Sequence, residues 1–282
     1  MKRVLITGAN SYIGTSFEKY VMEKGADFEI DTLDLLDPNW QEYDFSGYDS
    51  IFHVAAIVHK REKKISYEEY KKVNTDLPVL IAKKAKKAGV SQFIFLSTMS
   101  VYGLNTGKIA SSTLAIPTTK YGQSKYQAEE ELLKLRDCQF KLVIVRPPIV
   151  YGKGSKGNYS NLSKLTQLTP IFPKILNSRS MLHIDNLCEF IRKVIELELR
   201  GLFCPQNSEY VNTSELVKVI AEVHGKKIYF TKMFNPVIKL LFHFDTVKKV
   251  FGNLVYEQEM SRYAFEYQVI DFEESIKNTE LC

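Results

Sequence analysis

A tyrosine and a lysine four residues apart on a helix can move protons together, because both side chains lie on nearly the same face. Three such pairs occur in this sequence: Tyr20/Lys24, Tyr67/Lys71 and Tyr121/Lys125. With 16 tyrosines in the chain, the spacing alone identifies none of them. The third pair opens the predicted helix that follows an apolar strand ending in hydroxyl side chains, Leu96-Ser97-Thr98. We therefore predict that Thr98, Tyr121 and Lys125 are the catalytic residues.

The predicted chemistry is proton transfer through the Tyr121 hydroxyl. Its reference pKa near 10 must fall by about three units before it can act as a base at neutral pH, which needs roughly 4 kcal/mol. A Lys125 ammonium close to that hydroxyl and an oxidised nicotinamide can supply this together, while Thr98 hydrogen-bonds the reacting oxygen. Thr98 could instead cap the strand end, and Ser97 or Ser100 could take its place; we favour Thr98.

A glycine-rich turn near the start of the chain predicts a binding site for a dinucleotide cofactor. Residues 7–14 read Thr-Gly-Ala-Asn-Ser-Tyr-Ile-Gly, between an apolar strand and an amphipathic helix predicted from Thr15. Such a turn brings helix N–H groups to a pyrophosphate. The predicted cofactor-binding residues of the turn are Gly8, Asn10, Ser11, Tyr12, Ile13 and Gly14. Loops of this type usually have glycine where Ser11 stands, so its side chain would hold the phosphates farther off or offer them a hydroxyl.

Asp34 stands twenty residues after Gly14, at the end of the second predicted strand. A carboxylate there accepts hydrogen bonds from the adenosine ribose and repels a 2′-phosphate, so NAD is favoured over NADP. A glycine pair can also be ordinary turn chemistry, and aspartate is common at strand ends. The order of strand, turn and helix favours the dinucleotide.

Strands and helices alternate through the first half of the chain, which predicts an α/β fold with a doubly wound parallel sheet of the Rossmann type. After Tyr151 the rhythm breaks, and the remainder indicates a smaller C-terminal substrate-binding cap with a helix near Asn235 to Phe251. We predict an NAD-binding Rossmann domain over residues 1–152 and 183–206, and a cap over 153–182 and 207–282. Open α/β sheets bind ligands at the carboxyl edge.

Composition places the chain among globular proteins. It has 282 residues, of which 45% are hydrophobic and 25% charged, enough for one or two packed domains. No apolar run approaches the roughly eighteen residues of a membrane span, and the start lacks a signal-peptide core, so we expect a cytoplasmic protein without a membrane partner. The four cysteines are scattered with no CxxC pair, which favours reduced thiols and no metal site.

Much of the basic excess behind the net charge of +5 lies between Lys60 and Lys87. The apolar residues between these lysines recur at helical spacing, which indicates a helix with its lysines in solvent. The alternative is a polyanion site, which would bind nucleic acid with a steep salt dependence. We favour the solvated helix and expect no nucleic-acid partner.

Together these motifs resemble the extended short-chain dehydrogenase/reductase family, and within it the sugar-nucleotide epimerase/dehydratase branch. The resemblance spans nearly the whole chain. Beyond the glycine turn and the three catalytic residues, it is carried by blocks in family order: His53-Val54-Ala55-Ala56, Val73-Asn74, Ser97 to Gly103, Arg146 to Gly152, and Arg179 to Asp185.

The resemblance implies further site residues. Contacts with the cofactor are implied for Asp44 and Phe45 at the adenine, Ala55 and Ala56 in the dinucleotide groove, and Asn74 at the loop beneath it. Asn158 and Arg179 are implied to bind the diphosphate of a UDP-sugar, since a planar guanidinium suits phosphate oxygens. A surface ion pair is the alternative for Arg179, and a solvent-facing side chain is the alternative for Asn74. His183 and Asp185 are interpreted as a structural, hydrogen-bonded pair.

The same resemblance implies oxidoreduction at C4 of a UDP-sugar. Met99 and Ser100 stand where the 4,6-dehydratases of this branch carry an acidic pair, so dehydration is not expected. The blocks around Thr98 and Arg146 resemble capsule- and O-antigen-pathway enzymes, which favours reduction of a UDP-4-keto-6-deoxy-N-acetylhexosamine for surface-polysaccharide precursors. A UDP-hexose 4-epimerase is the alternative, and a non-catalytic dinucleotide sensor is the third hypothesis. Helices near 67–88 and 120–136 resemble those of a four-helix bundle and imply a homodimer.

Overall fold

The computed structural model describes residues 1–58 and 65–281. Part of the lysine-rich stretch, including Lys60, Lys63 and Lys64, lies outside the described residues, as does Cys282. The chain divides into two compact units. Unit 1 comprises Met1–Gly103, Leu114–Pro147 and Leu187–Pro205, and unit 2 comprises Leu104–Thr113, Pro148–Asn186 and Gln206–Cys282.

Strands and helices alternate along most of the chain. The strands are β1 (Lys2–Thr7), β2 (Phe28–Leu33), β3 (Ser50–His53), β4 (Gln92–Leu96), β5 (Gly107–Ile109), β6 (Lys141–Val145), β7 (Ile149–Tyr151), β8 (Ile171–Pro173), β9 (Met181–His183), β10 (Gly201–Phe203), β11 (Tyr229–Thr231) and β12 (Leu254–Tyr256). The α-helices are α1 (Tyr12–Glu23), α2 (Tyr67–Lys71), α3 (Leu77–Lys87), α4 (Lys120–Leu133), α5 (Asn158–Leu168), α6 (Ile184–Glu196), α7 (Thr213–Val223), α8 (Asn235–Leu240), α9 (Asp245–Phe251) and α10 (Phe272–Leu281).

The sheet of unit 1 confirms the predicted α/β fold. Within the described residues it has six strands, all parallel, in the order β10-β6-β4-β3-β1-β2. Thr7 lies opposite both Leu33 and His53, and His53 lies opposite Phe95. The carboxyl ends of these neighbouring strands therefore reach the same edge of the sheet. The predicted site residues Gly8, Asp34, Ala55 and Thr98 each come shortly after one of those ends.

Helices cover both faces of this sheet, which is why its central strands are apolar on both sides. On one face, Leu5, Ile51 and Phe93 form a buried cluster with side chains of α3 and α4. On the other face, Phe17 of α1 packs edge-on against Phe52, with ring centroids 5.4 Å apart. The sheet is thus doubly wound, as the alternating pattern predicted.

Unit 2 has three parallel strand pairs among its described residues, β7 with β9, β5 with β12, and β8 with β11. Because β5 pairs with β12, residues 104–113 belong to unit 2, although the predicted Rossmann domain of 1–152 includes them. The unit boundaries also fall at Pro147 and Leu187 instead of at the predicted 152 and 183.

The helix predicted over Asn235 to Phe251 is interrupted. α8 ends at Leu240, a 3₁₀ turn spans Leu241–His243, and α9 begins at Asp245. Phe244, between them, has extended backbone angles of φ −80° and ψ 131°. Neither helix has a buried residue, so no packed face supports one continuous helix.

Candidate active site

The glycine turn joins β1 to α1 where there is no room for side chains. Gly8 has φ +120°, and a Cβ on it would lie 2.8 Å from the backbone N of Ala55. A Cβ on Gly14 would lie 2.6 Å from Ser11 Oγ. Asn10 has a positive φ of 60°. The turn therefore packs its backbone against Ala55, which follows β3; Ala55 and the next residue, Ala56, are both half-buried.

Ser11 gives the start of α1 a side-chain cap. Its Oγ accepts a hydrogen bond from Gly14 N at 3.1 Å. α1 consequently begins at Tyr12, and the predicted start at Thr15 is wrong because the cap was not recognised. Tyr12, Ile13 and Gly14 form the first turn of the helix, where N–H groups lack acceptors within the helix. That end of α1 favours a phosphate group.

Asp34 follows β2 directly beside this turn. Gly8 N and Ala9 N both donate to Leu33 O, at 3.0 and 3.3 Å, which holds the turn against the end of β2. The Asp34 side chain is exposed, and its Oδ1 accepts a hydrogen bond from Leu36 N at 2.9 Å. A carboxylate has further acceptor sites, so Asp34 keeps capacity for ribose hydroxyl groups.

Asn74 is buried and bonded to the backbone, so it is not solvent-facing. Its Oδ1 accepts from Ile57 N at 2.8 Å, and its Nδ2 donates to Ile57 O and Ser124 Oγ, both at 3.1 Å. Asn74 lies in a π-helical turn, Lys72–Asp76, which interrupts the predicted lysine-rich helix between α2 and α3. The side chain fastens the segment after β3 to α4, the helix that carries Tyr121 and Lys125.

Asp44 and Phe45, expected at the adenine, have different environments. Asp44 is exposed, and hydrogen bonds from the side chain and backbone of Ser46 hold the pKa of its carboxyl below the usual value. Phe45 is 1% exposed within the cluster on the α3 side, with Lys84 Nζ 5.1 Å from its ring centroid. The Phe45 ring therefore packs in the core, and a contact of this residue with an adenine stays a prediction.

Thr98 and Tyr121 meet through their side chains. Burial raises the pKa of Tyr121 to about 12, and a side-chain hydrogen bond with Thr98 opposes that rise. Thr98 Oγ1 also accepts from Ser100 N at 3.1 Å and caps the 3₁₀ turn Met99–Tyr102. Thr98 is thus both a cap and the partner of Tyr121. At neutral pH Tyr121 is a protonated phenol here, and acting as a base would require additional positive charge beside it.

Lys125 is buried one helical turn after Tyr121. The residue is 1% exposed, and its Nζ lies 3.9 Å from the centroid of the Phe95 ring. Burial lowers the pKa of Lys125 to about 7, and the charge of Glu129, one turn further along α4, opposes that fall. Among the described residues Lys125 Nζ donates no hydrogen bond, and so none to Tyr121. The proximity of the two side chains therefore does not depend on a hydrogen bond between them, and it stays a prediction.

Sequence reasoning missed a buried ion pair next to the predicted catalytic residue Lys125. Arg146 follows β6, and its Nη2 and Nε donate to Glu129 at 2.5 and 3.1 Å. Burial lowers the pKa of Arg146, but the hydrogen bonds and charge of Glu129 outweigh it and raise that pKa. Ser97 Oγ also donates to Glu129 and is thus engaged away from Tyr121. The sequence signal that could have pointed to Glu129 is its position four residues after Lys125, which places both residues on the same face of α4.

The two other tyrosine–lysine pairs have structural partners. Tyr20 OH donates to Glu189 Oε2 at 3.0 Å, between α1 and α6. Tyr67 OH donates to Gln127 Oε1 at 3.0 Å, between α2 and α4. Both tyrosines therefore join neighbouring helices of unit 1.

Asn158 and Arg179 line one pocket inside unit 2, with a volume of about 40 Å³. Arg179 is 8% exposed, so it is not a surface ion pair, and no carboxylate of the described chain pairs with it. Its Nη1 donates to Lys248 O and Gly252 O, at 3.3 and 3.0 Å. Its Nε is buried without a hydrogen-bond partner within the described residues.

The electrostatics of this pocket favour an anion. Burial lowers the pKa of Arg179 to about 10, so the guanidinium stays charged at neutral pH. A buried cation without a negative partner is unfavourable. Asn158 is the first residue of α5, whose N-cap, Gly157, provides no side-chain hydrogen bond. First-turn N–H groups and a guanidinium together suit phosphate oxygens.

His183 and Asp185, also in unit 2, form a neutral contact. Asp185 N donates to His183 Nδ1 at 3.3 Å, and burial lowers the pKa of His183 to about 4. The 3.7 Å approach of Asp185 Oδ2 is therefore not a charged pair at neutral pH. This arrangement agrees with a structural role.

A doubly wound parallel sheet with a glycine turn after its first strand defines a Rossmann-type, dinucleotide-binding class of protein. Residues 4–201 match the NAD dependent epimerase/dehydratase family. This match covers more than half of the chain, so the protein belongs to that family. It is accordingly an NAD-dependent enzyme of the epimerase/dehydratase type.

Two curated relatives match most of the chain. The UDP-glucose 4-epimerase of Vibrio cholerae is 29% identical over 286 residues, covering 90% of this chain and 86% of the relative. The N-acetyl-alpha-D-glucosaminyl-diphospho-ditrans,octacis-undecaprenol 4-epimerase of Escherichia coli O157:H7 is 27% identical over 273 residues, covering 88% and 81%. The crystal structure of a dTDP-4-dehydrorhamnose reductase from Clostridium acetobutylicum has a TM-score of 0.77 at 19% identity, covering 98% of both chains. That likeness shows the fold.

Proposed function

We propose that the protein catalyses NAD-dependent oxidoreduction at C4 of a sugar carried on a diphosphate, as a 4-epimerase. The contact between the Thr98 and Tyr121 side chains carries this proposal, because it fixes one oxygen that can exchange a proton with a sugar hydroxyl. The two curated relatives, both named as 4-epimerases, favour epimerisation over the reduction that the sequence blocks favoured. UDP is the proposed carrier.

The residues of unit 1 fit NAD. A Cβ would fill the space at Gly8, and the first turn of α1 suits a pyrophosphate. Asp34 would accept hydrogen bonds from the ribose, and Lys125 has N–H donors that the described residues leave unused. Bound there, NAD would supply a hydride acceptor and donor.

Tyr121 would take the proton of the C4 hydroxyl as that carbon is oxidised, and return it on re-reduction. Thr98 would hold the same sugar oxygen by a hydrogen bond. Lys125, charged below a pKa of about 7 in this structure, would gain acceptors from a ribose and regain its positive charge. That charge is what the Tyr121 phenol requires before it can act as a base.

In unit 2, Arg179 and the start of α5 would bind the diphosphate. Asn158 lies at that helix start and lines the same pocket as Arg179. A volume of about 40 Å³ is close to that of one or two water molecules. Substrate binding would therefore require the side chains around Arg179 to move apart.

Reduction of a UDP-4-keto-6-deoxy-N-acetylhexosamine, in surface-polysaccharide precursor synthesis, is the second candidate. The blocks from Ser97 to Gly103 and from Arg146 to Gly152 favour it by their resemblance to such reductases. Both reactions use the same three catalytic residues. They differ in cofactor balance, since a reductase consumes one NADH for each product and an epimerase consumes none.

A homodimer is proposed through α3 and α4. These helices lie side by side on one face of the sheet, and Thr75 Oγ1, just before α3, donates to Ser124 O of α4 at 2.7 Å. Leu80 on α3 and Leu133 on α4 are 46% and 40% exposed. Sedimentation velocity should find a dimer that Leu80→Glu converts to a monomer.

The test is turnover by the purified full-length protein. We expect interconversion of UDP-glucose and UDP-galactose, or of their N-acetyl forms, with no net change in NADH. Stoichiometric NADH consumption with the 4-keto-6-deoxy substrate would replace the epimerase with the reductase. Absence of turnover with every substrate, together with NAD binding, would support the sensor hypothesis instead.

Tyr121→Phe should lower turnover by at least about a hundredfold while NAD binding persists. Tyr20→Phe and Tyr67→Phe are matched controls, because their hydroxyl groups bond to Glu189 and Gln127. Near-normal turnover by Tyr121→Phe would remove Tyr121 from the reaction.

A further inference from the structure

One stretch of unit 2 exposes an unusual number of large apolar side chains. Between residues 226 and 251 no residue is buried. The exposed apolar residues and their exposed fractions are Tyr229 67%, Met233 74%, Phe234 38%, Val237 54%, Leu240 75%, Leu241 37% and Phe244 53%. Single exposed apolar residues are common, but a continuous run of this kind marks an interaction site. We name residues 226–251 the apolar-basic surface.

The surface continues onto the neighbouring strand pair. Tyr229 of β11 lies opposite Ile171 of β8, which is itself 46% exposed. Asn235 Nδ2 donates to Lys174 O at 3.1 Å and ties the start of α8 to the segment after β8. α8 is thus held in place by hydrogen bonds while its apolar side chains remain outside the core.

The charge of this surface has one predominant sign. Residues 226–251 contain six lysines and one acidic residue, Asp245. These residues therefore carry a net charge of +5, which equals the net charge of the whole chain. Lys227, Lys232, Lys239 and Lys249 are all exposed. Exposed apolar side chains interleaved with lysines fit the headgroup region of a bilayer that contains anionic lipid.

The lysine-rich helix of unit 1 shows that positive charge alone does not define such a surface. On α3, Lys83, Lys86 and Lys87 are exposed, but the apolar residues Ile81 and Ala85 of the same helix are buried in the core. Leu80 is the large apolar side chain that α3 exposes, so this helix presents its charge beside one exposed apolar side chain. The apolar-basic surface presents both together.

The apolar-basic surface is continuous with the anion pocket. Arg179 donates to the carbonyl oxygens of Lys248 and Gly252, at the end of α9. Val250 of α9 also lines the pocket. The end of α9 therefore connects this surface with the Arg179 guanidinium, which is proposed to bind a diphosphate.

We propose that the apolar-basic surface docks the protein on the surface of an anionic bilayer. The apolar side chains of α8 and Phe244 would enter the headgroup region, and the lysines would contact lipid phosphates. No helix among the described residues is long and apolar enough to cross a membrane. The expectation of no membrane partner considered only spanning segments, and this surface revises it.

Docking has a consequence for the substrate, which rests on the proposed function. A sugar diphosphate attached to a membrane lipid would reach Arg179 from the docked face, whereas a UDP-sugar would reach it from solution. Both carriers share the diphosphate. Turnover of each, with and without vesicles, separates the two sources.

The experiment is cosedimentation of the full-length protein with vesicles of phosphatidylcholine containing about one third phosphatidylglycerol. We expect binding that weakens with added salt. Met233→Ser combined with Leu240→Ser should weaken it by at least tenfold, roughly the effect of losing two apolar insertions. Lys239→Glu combined with Lys249→Glu should weaken it by a similar factor.

Two controls lie in unit 1. Leu36→Ser removes a side chain that is 91% exposed, and Lys83→Glu with Lys87→Glu reverses charges on α3. Neither should change vesicle binding. Equal loss in both sets of variants, or no binding by the wild type, would overturn the proposal.

A second copy of the chain is the competing occupant of this surface. If Met233→Ser with Leu240→Ser converts a dimer to a monomer in sedimentation velocity and vesicles bind neither form, the surface is a protein interface and the docking proposal fails. Because vesicle binding is measured without turnover, its failure leaves the proposed reaction untouched. NAD binding by each variant shows that the fold is retained.

Discussion

Replacing Lys125 by methionine should stabilise the protein while abolishing its turnover. Lys125 is 1% exposed, and its Nζ donates no hydrogen bond among the described residues, so the substitution removes a buried charge and no such bond. Methionine has nearly the same length and packs well against an aromatic ring such as Phe95. The stability of the free protein and its function therefore place opposite demands on this position.

The magnitude follows from the pKa of Lys125, which burial lowers from 10.5 to about 7. Below pH 7 Lys125 is charged in the folded protein, and the full free-energy penalty of burying that charge applies. Between pH 7 and 10.5 the folded lysine is neutral while the unfolded one is charged, so the penalty falls by about 1.4 kcal/mol per pH unit. The penalty is about 4 kcal/mol at pH 7 and about 2 kcal/mol at pH 9.

One neighbour of Lys125 reduces the expected gain in stability, and another leaves it unchanged. The contact of Lys125 with the Phe95 ring is worth about 0.5–2 kcal/mol when the lysine is charged, and the variant loses it. His53 adds no charge at neutral pH, because burial lowers its pKa to about 3. We therefore expect Lys125→Met to raise the free energy of unfolding by about 2–4 kcal/mol at pH 7.

Urea denaturation at pH 7, 8 and 9 measures this, with the exposed Lys83→Met as the matched control. The gap between variant and wild type should narrow by about 2 kcal/mol from pH 7 to pH 9. A variant less stable than the wild type at pH 7, or a gap that does not change with pH, would show that Lys125 is not a strained buried cation. Loss of turnover in the same variant tests its role with NAD.

Three further substitutions test other parts of the site. Arg179→Met should raise KM for substrate about tenfold or more, roughly 1.5–3 kcal/mol, and leave NAD affinity unchanged, so an unchanged KM would place the diphosphate elsewhere. Asp34→Asn should narrow the preference for NADH over NADPH by about tenfold in fluorescence titrations, whereas Asp37→Asn should not. Glu129→Gln removes the charge opposite a buried arginine and should lower the free energy of unfolding by roughly 3 kcal/mol, against almost no change for the exposed Glu130→Gln; equal effects would show that the buried pair has no special weight.

Much of unit 1 was predictable because its signals are local. The alternation of apolar strands and amphipathic helices indicated the doubly wound sheet, and glycines at positions 8 and 14 indicated the turn between β1 and α1. Each signal depends on a few consecutive residues. The choice of Tyr121 over Tyr20 and Tyr67 also used only the order of a strand and a helix along the chain, and it stays a prediction.

The errors lie where distant residues or side-chain bonds decide the outcome. The α1 start was misplaced because the side-chain cap that Ser11 gives to Gly14 N was not recognised. The domain boundary missed residues 104–113, because β5 pairs with β12, almost 150 residues later. The helix predicted near residues 235–251 is interrupted, because neither α8 nor α9 has a buried face that packs on a core. The burial of Phe45 also depends on distant residues, and its expected place at the adenine stays a prediction.

The sequence by itself determined the sheet, the glycine turn, the acid at Asp34 and the helix that carries Tyr121 and Lys125, because periodicity and spacing are properties of neighbouring residues. Only the tertiary structure decided the charge states in the site. Burial lowers the pKa of Lys125. Arg179 is also buried, and no carboxylate among the described residues pairs with it. Such shifts depend on which residues surround a group in space, and sequence spacing does not contain that information.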